Sequence, residues 1–196
     1  DHVVQPPVDV SPPKWHLGHT TWFFEQFILK EVKGYELFDA EMAYLFNSYY
    51  ESVGKRVLRA DRGNMTRPTL EEVHAYRKHV DDALSALLAG GNAGEGQLRI
   101  LELGIHHEQQ HQELLMTDLK YILGNNPLFP VYDDFAEGRS EKTKGDFIPI
   151  DGGLHSIGSE GEGFSFDNEH ARHRVFVDDF AIADRLAKLD PANADW

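Results

Sequence analysis

Apolar residues in the first part of this chain recur every three or four positions, whereas those after about residue 146 alternate, so a helical unit should precede a β-rich one. The first helix should open at Ser11-Pro12-Pro13, with Ser11 as N-cap and proline in the first turn, where a missing N–H costs nothing. It should run through Trp15, His19, Trp22, Phe23 and Phe27 to about Glu31, with Gly34 as the stop. Residues 36 to 68 read as an irregular crossover anchored by Phe38, Tyr44, Phe46, Tyr49 and Tyr50. Thr69-Leu70-Glu71-Glu72 is a capping-box pattern that predicts a second helix to about Leu88, ended by Gly90-Gly91. A third should span 96 to 123, with Ile100, Leu101, Leu114, Leu115, Leu119 and Ile122 as its apolar positions. Beyond it, Phe147–Ile150, Leu154–Ile157 and His173–Val177 alternate as strands do.

Three long helices and one long crossover suggest a mainly α fold, a four-helix bundle over residues 1–126 whose first helix is missing or lies upstream of Asp1. Asn125-Asn126-Pro127 and the polar stretch Asp133–Gly145 read as a linker, 127–145, and 146–196 as a unit too short to close alone. No internal repeat is visible. The chain opens without an initiator Met and stops at Trp196 in what reads as mid-element, so it is expected to be a fragment or incompletely ordered.

Composition narrows the chemistry. A net charge of −14 and a pI near 5.1 argue against a nucleic-acid partner. No apolar run approaches the ~18 residues of a membrane span and no signal peptide is visible, so a cytoplasmic protein is the plain expectation. The absence of cysteine excludes disulfides and thiolate ligands, which leaves histidine and carboxylate to hold any metal. Eleven histidines are available for that.

The richest stretch is His106-His107-Glu108-Gln109-Gln110-His111-Gln112-Glu113 in the third helix. His107 and His111 lie about 40° apart, one turn up the same face, and can share one ion. The first helix offers His16 and His19 as a third ligand. His19 is preferred because it continues into the face of Phe23, Gln26 and Phe27, which must be buried, but His16 stays open. Glu113 is about 200° from His111, so an interhelical hydrogen bond is expected of it rather than ligation. His107–His111 also spells the zinc-protease pattern with Glu108 as its base, but the extended form fails because position 114 is Leu and 117 is Thr. His74, His79 and His170 read as surface or rim residues, and His106 as pointing sideways.

The run Ser11–Glu25, the segment Phe46-Asn47-Ser48-Tyr49-Tyr50-Glu51 and the His107-x-x-x-His111-x-Glu113 motif closely resemble the ergothioneine-type sulfoxide synthases. Those enzymes join a DinB-like four-helix bundle to an α+β, C-type-lectin-like domain of the formylglycine-generating, sulfatase-modifying type. The start of that second domain is resembled by Phe147-Ile148-Pro149-Ile150-Asp151-Gly152-Gly153, Ile157-Gly158, Phe166–His170 and His173-Arg174-Val175. The resemblance implies a non-haem Fe(II) held by His19, His107 and His111. It also implies O2-dependent coupling of cysteine or γ-glutamylcysteine to the imidazole C2 of hercynine (trimethylhistidine). Gln110 resembles the position that contacts hercynine, and Arg59 and Arg62 the pair that reads the thiol substrate's carboxylate. The family's catalytic Tyr lies beyond Trp196, and Leu186–Trp196 departs from the family pattern, so this chain alone is expected to hold iron without turning over. A selenium analogue making selenoneine and a DinB-like zinc- or nickel-dependent thiol transferase or hydrolase are the alternatives. A helical bundle whose histidines are only structural is the non-catalytic one.

Overall fold

The computed structural model describes residues 2–48, 54–133 and 145–185. Tyr49, Tyr50, most of the expected linker and the segment 186–196 lie outside the described residues. The chain divides into two compact units, Asp1–Asp134 and Phe135–Trp196.

The first unit is helical: α1 (Pro13–Phe27), α2 (Met42–Phe46), α3 (Leu70–Ala89) and α4 (Glu95–Gly124). In α1, eleven of fifteen residues are buried, so every face of the helix is covered. Trp15, Trp22, Phe23 and Phe24 form the centre of the core, and α1 packs against α2, α3 and α4. A helix covered on all sides needs no polar stripe, and α1 has a correspondingly weak amphipathic pattern.

The start of α1 departs from expectation. Pro12, not Ser11, is the N-cap, and no side chain caps the helix. Ser11 is diverted to tertiary bonds: its N–H donates to Asp118 Oδ2 (2.9 Å) and its hydroxyl accepts from Arg62 (3.0 Å). The helix also ends earlier, because Ile28 leaves helical geometry (φ −121°, ψ −60°) and Leu29–Glu31 tighten into a 3-10 turn. Ile28 and Leu29 are each 1% exposed, so burying both outweighs one more helical turn. Farther along, the capping box of Thr69 and Glu72 forms as expected and opens α3. The crossover is less irregular than its sequence suggests, since it contains α2 and a 3-10 segment, Arg59–Asn64. It is tied to the core by the buried Glu25 carboxylate, which accepts from Tyr35 Oη (2.7 Å), Tyr76 Oη (2.6 Å) and the Phe38 N–H (3.1 Å). Those bonds join α1, the crossover and α3 at one charge.

Two glycines set how closely the helices approach. A Cβ on Gly104 of α4 would fall 2.4 Å from Phe24 Cε1, so only glycine lets α4 lie this close to α1. His107 and His111 follow Gly104 on the same face, and that close approach is what carries their rings to α1. A Cβ on Gly18 would fall 2.2 Å from Phe46 Cε1, and Phe46 is fully buried. Gly18→Ala is therefore expected to lower stability: overpacking costs about 1–3 kcal/mol, and better helix propensity returns about 1 kcal/mol or less. Urea unfolding checks this, and a raised midpoint would show that Phe46 can move aside.

The second unit carries two antiparallel pairs. β1 (Phe147–Ile150) pairs with β4 (Phe180–Ala183), and β2 (Gly153–Ile157) with β3 (His173–Val177). β4 was not anticipated: its Phe-Ala-Ile-Ala run is uniformly apolar and lacks the period-2 signal. None of this unit's described residues is buried, and Phe147, Leu154, Phe176 and Ile182 are all exposed.

Candidate metal centre

His19, at the middle of α1, is held on three sides. Its ring lies between those of Trp15 (centroids 4.5 Å apart, 14° between planes) and Trp22 (5.4 Å, 16°), four residues before it and three after. That spacing puts all three rings on one helical face, so the stack is a direct product of sequence. The third constraint is tertiary. His19 Nδ1 donates to the carbonyl of Phe46 at 2.7 Å, one of the carbonyls that the end of α2 leaves without a helical partner. With its proton on Nδ1, His19 keeps a lone pair on Nε2.

Opposite it, α4 presents His107 and His111, whose ring centroids lie 4.6 Å apart. They are 5.1 and 4.8 Å from the His19 ring. One ligand atom from each of the three histidines falls within 4.8 Å of the other two, so a single ion can reach all of them. His107 packs on Phe23, and its Nδ1 is buried with no hydrogen-bond partner. Leaving a buried ring nitrogen unpaired costs free energy. An ion at this place fits the donor set and adds attraction that nothing else among the described residues supplies.

Burial acts in the same direction. Desolvation, opposed by the hydrogen bond to the Phe46 carbonyl, holds His19 down at about 3. Desolvation alone takes His107 to about 4. It takes His111 to about 2, helped by the neighbouring His19, His107 and His16. All three rings are therefore neutral near pH 7, the state in which imidazole ligates metals.

The cluster opens onto a cavity of about 420 Å³. Gln110, Arg59 and Arg62 line it together with Ser11, Ser48 and Asp118. Arg62 is buried, lies over Trp15 (3.4 Å from the guanidinium carbon to the ring centroid), and donates to the hydroxyls of Ser11 (3.0 Å) and Ser48 (3.1 Å). Arg59 sits at the exposed rim and donates to the Asp9 carbonyl at 2.6 Å. Gln110 is exposed on the wall between His107 and His111.

His16 is not gathered into the cluster. It turns to Asp118 (Nε2 to Oδ2, 2.9 Å) and to His111 (Nδ1 to Nδ1, 2.9 Å), and burial pushes it below the ordinary imidazole range. Asp118 was missed in the sequence, although it stands seven residues after His111 on the same helical face, a spacing that could have identified it. Glu113 does not make the expected interhelical bond. It is exposed, because its position on α4 faces away from α1. Glu108 pairs with Arg77 of α3 at 2.9 Å, which commits it to bridging helices rather than to serving as a protease base. His74 and His170 are exposed, His79 sits at the rim bonded to the Glu36 carbonyl, and His106 is half-buried. Among the described residues, no helix is long and apolar enough to cross a membrane.

Residues 1–115 match the family model of the DinB superfamily. No curated protein matches the chain.

Proposed function

We propose that this chain, which belongs to the DinB superfamily, is the iron-holding part of an O2-dependent sulfoxide synthase that joins a thiol to the imidazole C2 of hercynine. Superfamily members are often metal-dependent enzymes. The observation that carries the reading is the set of three neutral imidazoles beside a cavity whose inner wall holds one buried arginine. Fe(II) held by His19, His107 and His111 would keep its full positive charge and open positions for thiol and O2. In the overall reaction the thiol S–H and the imidazole C2–H are lost and a C–S bond forms. One oxygen atom enters the sulfoxide and the other leaves as water.

The chain's own residues have separable tasks. Arg62, with the Ser11 and Ser48 hydroxyls beside two of its nitrogens, presents donors suited to a substrate carboxylate inside the cavity. Arg59, at the rim, would add charge where an amino-acid substrate enters. Gln110 is set to orient hercynine by hydrogen bonding to its imidazole. The Trp15 and Trp22 rings prevent His19 from turning, so its ligand atom stays aimed at the cluster. On this reading the strands of the second unit begin a formylglycine-generating-type domain, as their resemblance suggests.

A zinc- or nickel-dependent transferase would use the same three ligands, so the test must separate the metals. The chain is loaded anaerobically with Fe(II), exposed to nitric oxide as an O2 surrogate, and followed by electron paramagnetic resonance. Adding trimethylhistidine, and then cysteine or γ-glutamylcysteine, is expected to change the iron signal. Binding of zinc or nickel but not iron, or an iron signal that neither compound alters, would sink the sulfoxide-synthase reading.

A further inference from the structure

Asp118 and His16 form a buried pair behind His111 that ligates nothing, yet its bonds have a definite direction. The backbone N–H of Ser11 can only donate, and it reaches Asp118 Oδ2 at 2.9 Å, so that oxygen accepts. His16 Nε2 lies 2.9 Å from the same oxygen and must therefore carry the proton between them. A neutral imidazole has one ring proton, so His16 Nδ1 is a lone pair. His111 Nδ1 stands 2.9 Å from that lone pair and has to be the donor. The opposite arrangement would set two lone pairs face to face between His16 and Asp118 at the same distance. Both residues are buried, 5% and 8% exposed, which strengthens the bonds between them.

We infer that Asp118 and His16 are positioning residues: the Asp118 carboxylate, acting through the His16 ring, places the proton of His111 on Nδ1 and leaves Nε2 as that ring's free ligand atom. His19 reaches the same tautomer by a single bond to a backbone carbonyl. Among the described residues the His111 ring bonds no carbonyl and is held instead by a side-chain relay of two bonds. Histidine ligands commonly bond a carboxylate directly through the other ring nitrogen. Here a second imidazole is interposed, because Asp118 lies two turns beyond His111 and His16 bridges the gap from α1. The relay also ties both helices and the segment before α1 to the geometry of one ligand.

The role of this relay rests on the metal reading, but its central claim can be tested without metal. Long-range proton–nitrogen correlation in the nitrogen-15-labelled, metal-free chain reports which ring nitrogen of His111 is protonated. The expected result is a protonated Nδ1 and a bare Nε2. His16→Leu should shift the proton toward Nε2 and weaken cobalt(II) binding by about 10–100-fold. His16→Gln, whose amide can donate to Asp118 and accept from His111, should restore both the tautomer and most of the affinity. A bare Nδ1 on His111 in the unsubstituted chain would overturn the proposal, even if His16→Leu fails to fold. Unchanged cobalt(II) affinity in a folded His16→Leu chain would overturn it as well. The expected tautomer in a chain that binds neither cobalt(II) nor iron(II) would support the relay and sink only the metal reading.

Discussion

Replacing His107 and His111 together by alanine is expected to abolish stoichiometric metal binding while leaving the metal-free chain folded. Two of the three atoms that converge on one point are removed, and the remaining His19 is an isolated imidazole between two indoles. A single imidazole holds a divalent ion weakly, so affinity should fall on the order of a thousandfold or more. Stability should respond differently. The substitution deletes a buried nitrogen that already lacks a partner, which offsets part of the cost of the cavity it leaves. Anaerobic Fe(II) titration with metal content read by mass spectrometry measures the first effect. Thermal melts measure the second: iron at a hundredfold excess over Kd should stabilise the unsubstituted chain by about 2.7 kcal/mol and the double variant not at all. One iron per chain retained in the variant would place the metal elsewhere.

The second large effect is acid instability of the metal-free chain. The three cluster imidazoles titrate near 3, 4 and 2 when folded, and near an ordinary ~6.5 when unfolded. Between those values the unfolded chain takes up protons that the folded chain refuses. Stability therefore is fully present above about pH 6.5 and is lost as pH falls toward the folded values. The limiting slope is about 1.4 kcal/mol per pH unit for each group. His19, nearly sealed, should approach it, and the half-buried His107 and His111 should contribute less because solvent screens them. His16, also pushed down by burial, adds in the same direction. At pH 5 each group therefore removes at most about 2 kcal/mol, so together they take a substantial share of a total stability of about 5–15 kcal/mol. Urea midpoints at pH 7, 6 and 5 test this, and a flat series would show that the rings accept protons without unfolding. Bound metal competes with protons for the same lone pairs and stabilises the folded chain, so it is expected to move this loss to lower pH.

Much of the site was legible because its residues repeat at helical intervals. Trp15, His19 and Trp22 lie within two turns of α1, and His107 and His111 are one turn apart on α4. Local periodicity placed each set on one face before anything was known of the other. The strand runs and the capping box of α3 are of the same local kind. The Ser11 cap failed for the opposite reason: a good capping side chain was claimed by Arg62, and its backbone by Asp118, from elsewhere in the fold. Glu113 failed because a wheel angle shows which ligand set a residue leaves and not which neighbour it will find.

The sequence by itself determined which side chains share a helical face, the signals that open α3 and close it, and a donor set limited to nitrogen and oxygen by the lack of cysteine. The tertiary structure decided that His19, not His16, joins the α4 pair in the three-histidine cluster, while His16 bonds His111 and Asp118. Both point inward from α1 and differ by three residues, so contacts from other segments, the Phe46 carbonyl on His19 and Asp118 on His16, separate a ligand-bearing ring from its neighbour. It also decided the protonation of the rings. Burial, the Phe46 carbonyl and the Asp118–His16 pair act through space between segments far apart in the chain, and no periodicity records such contacts.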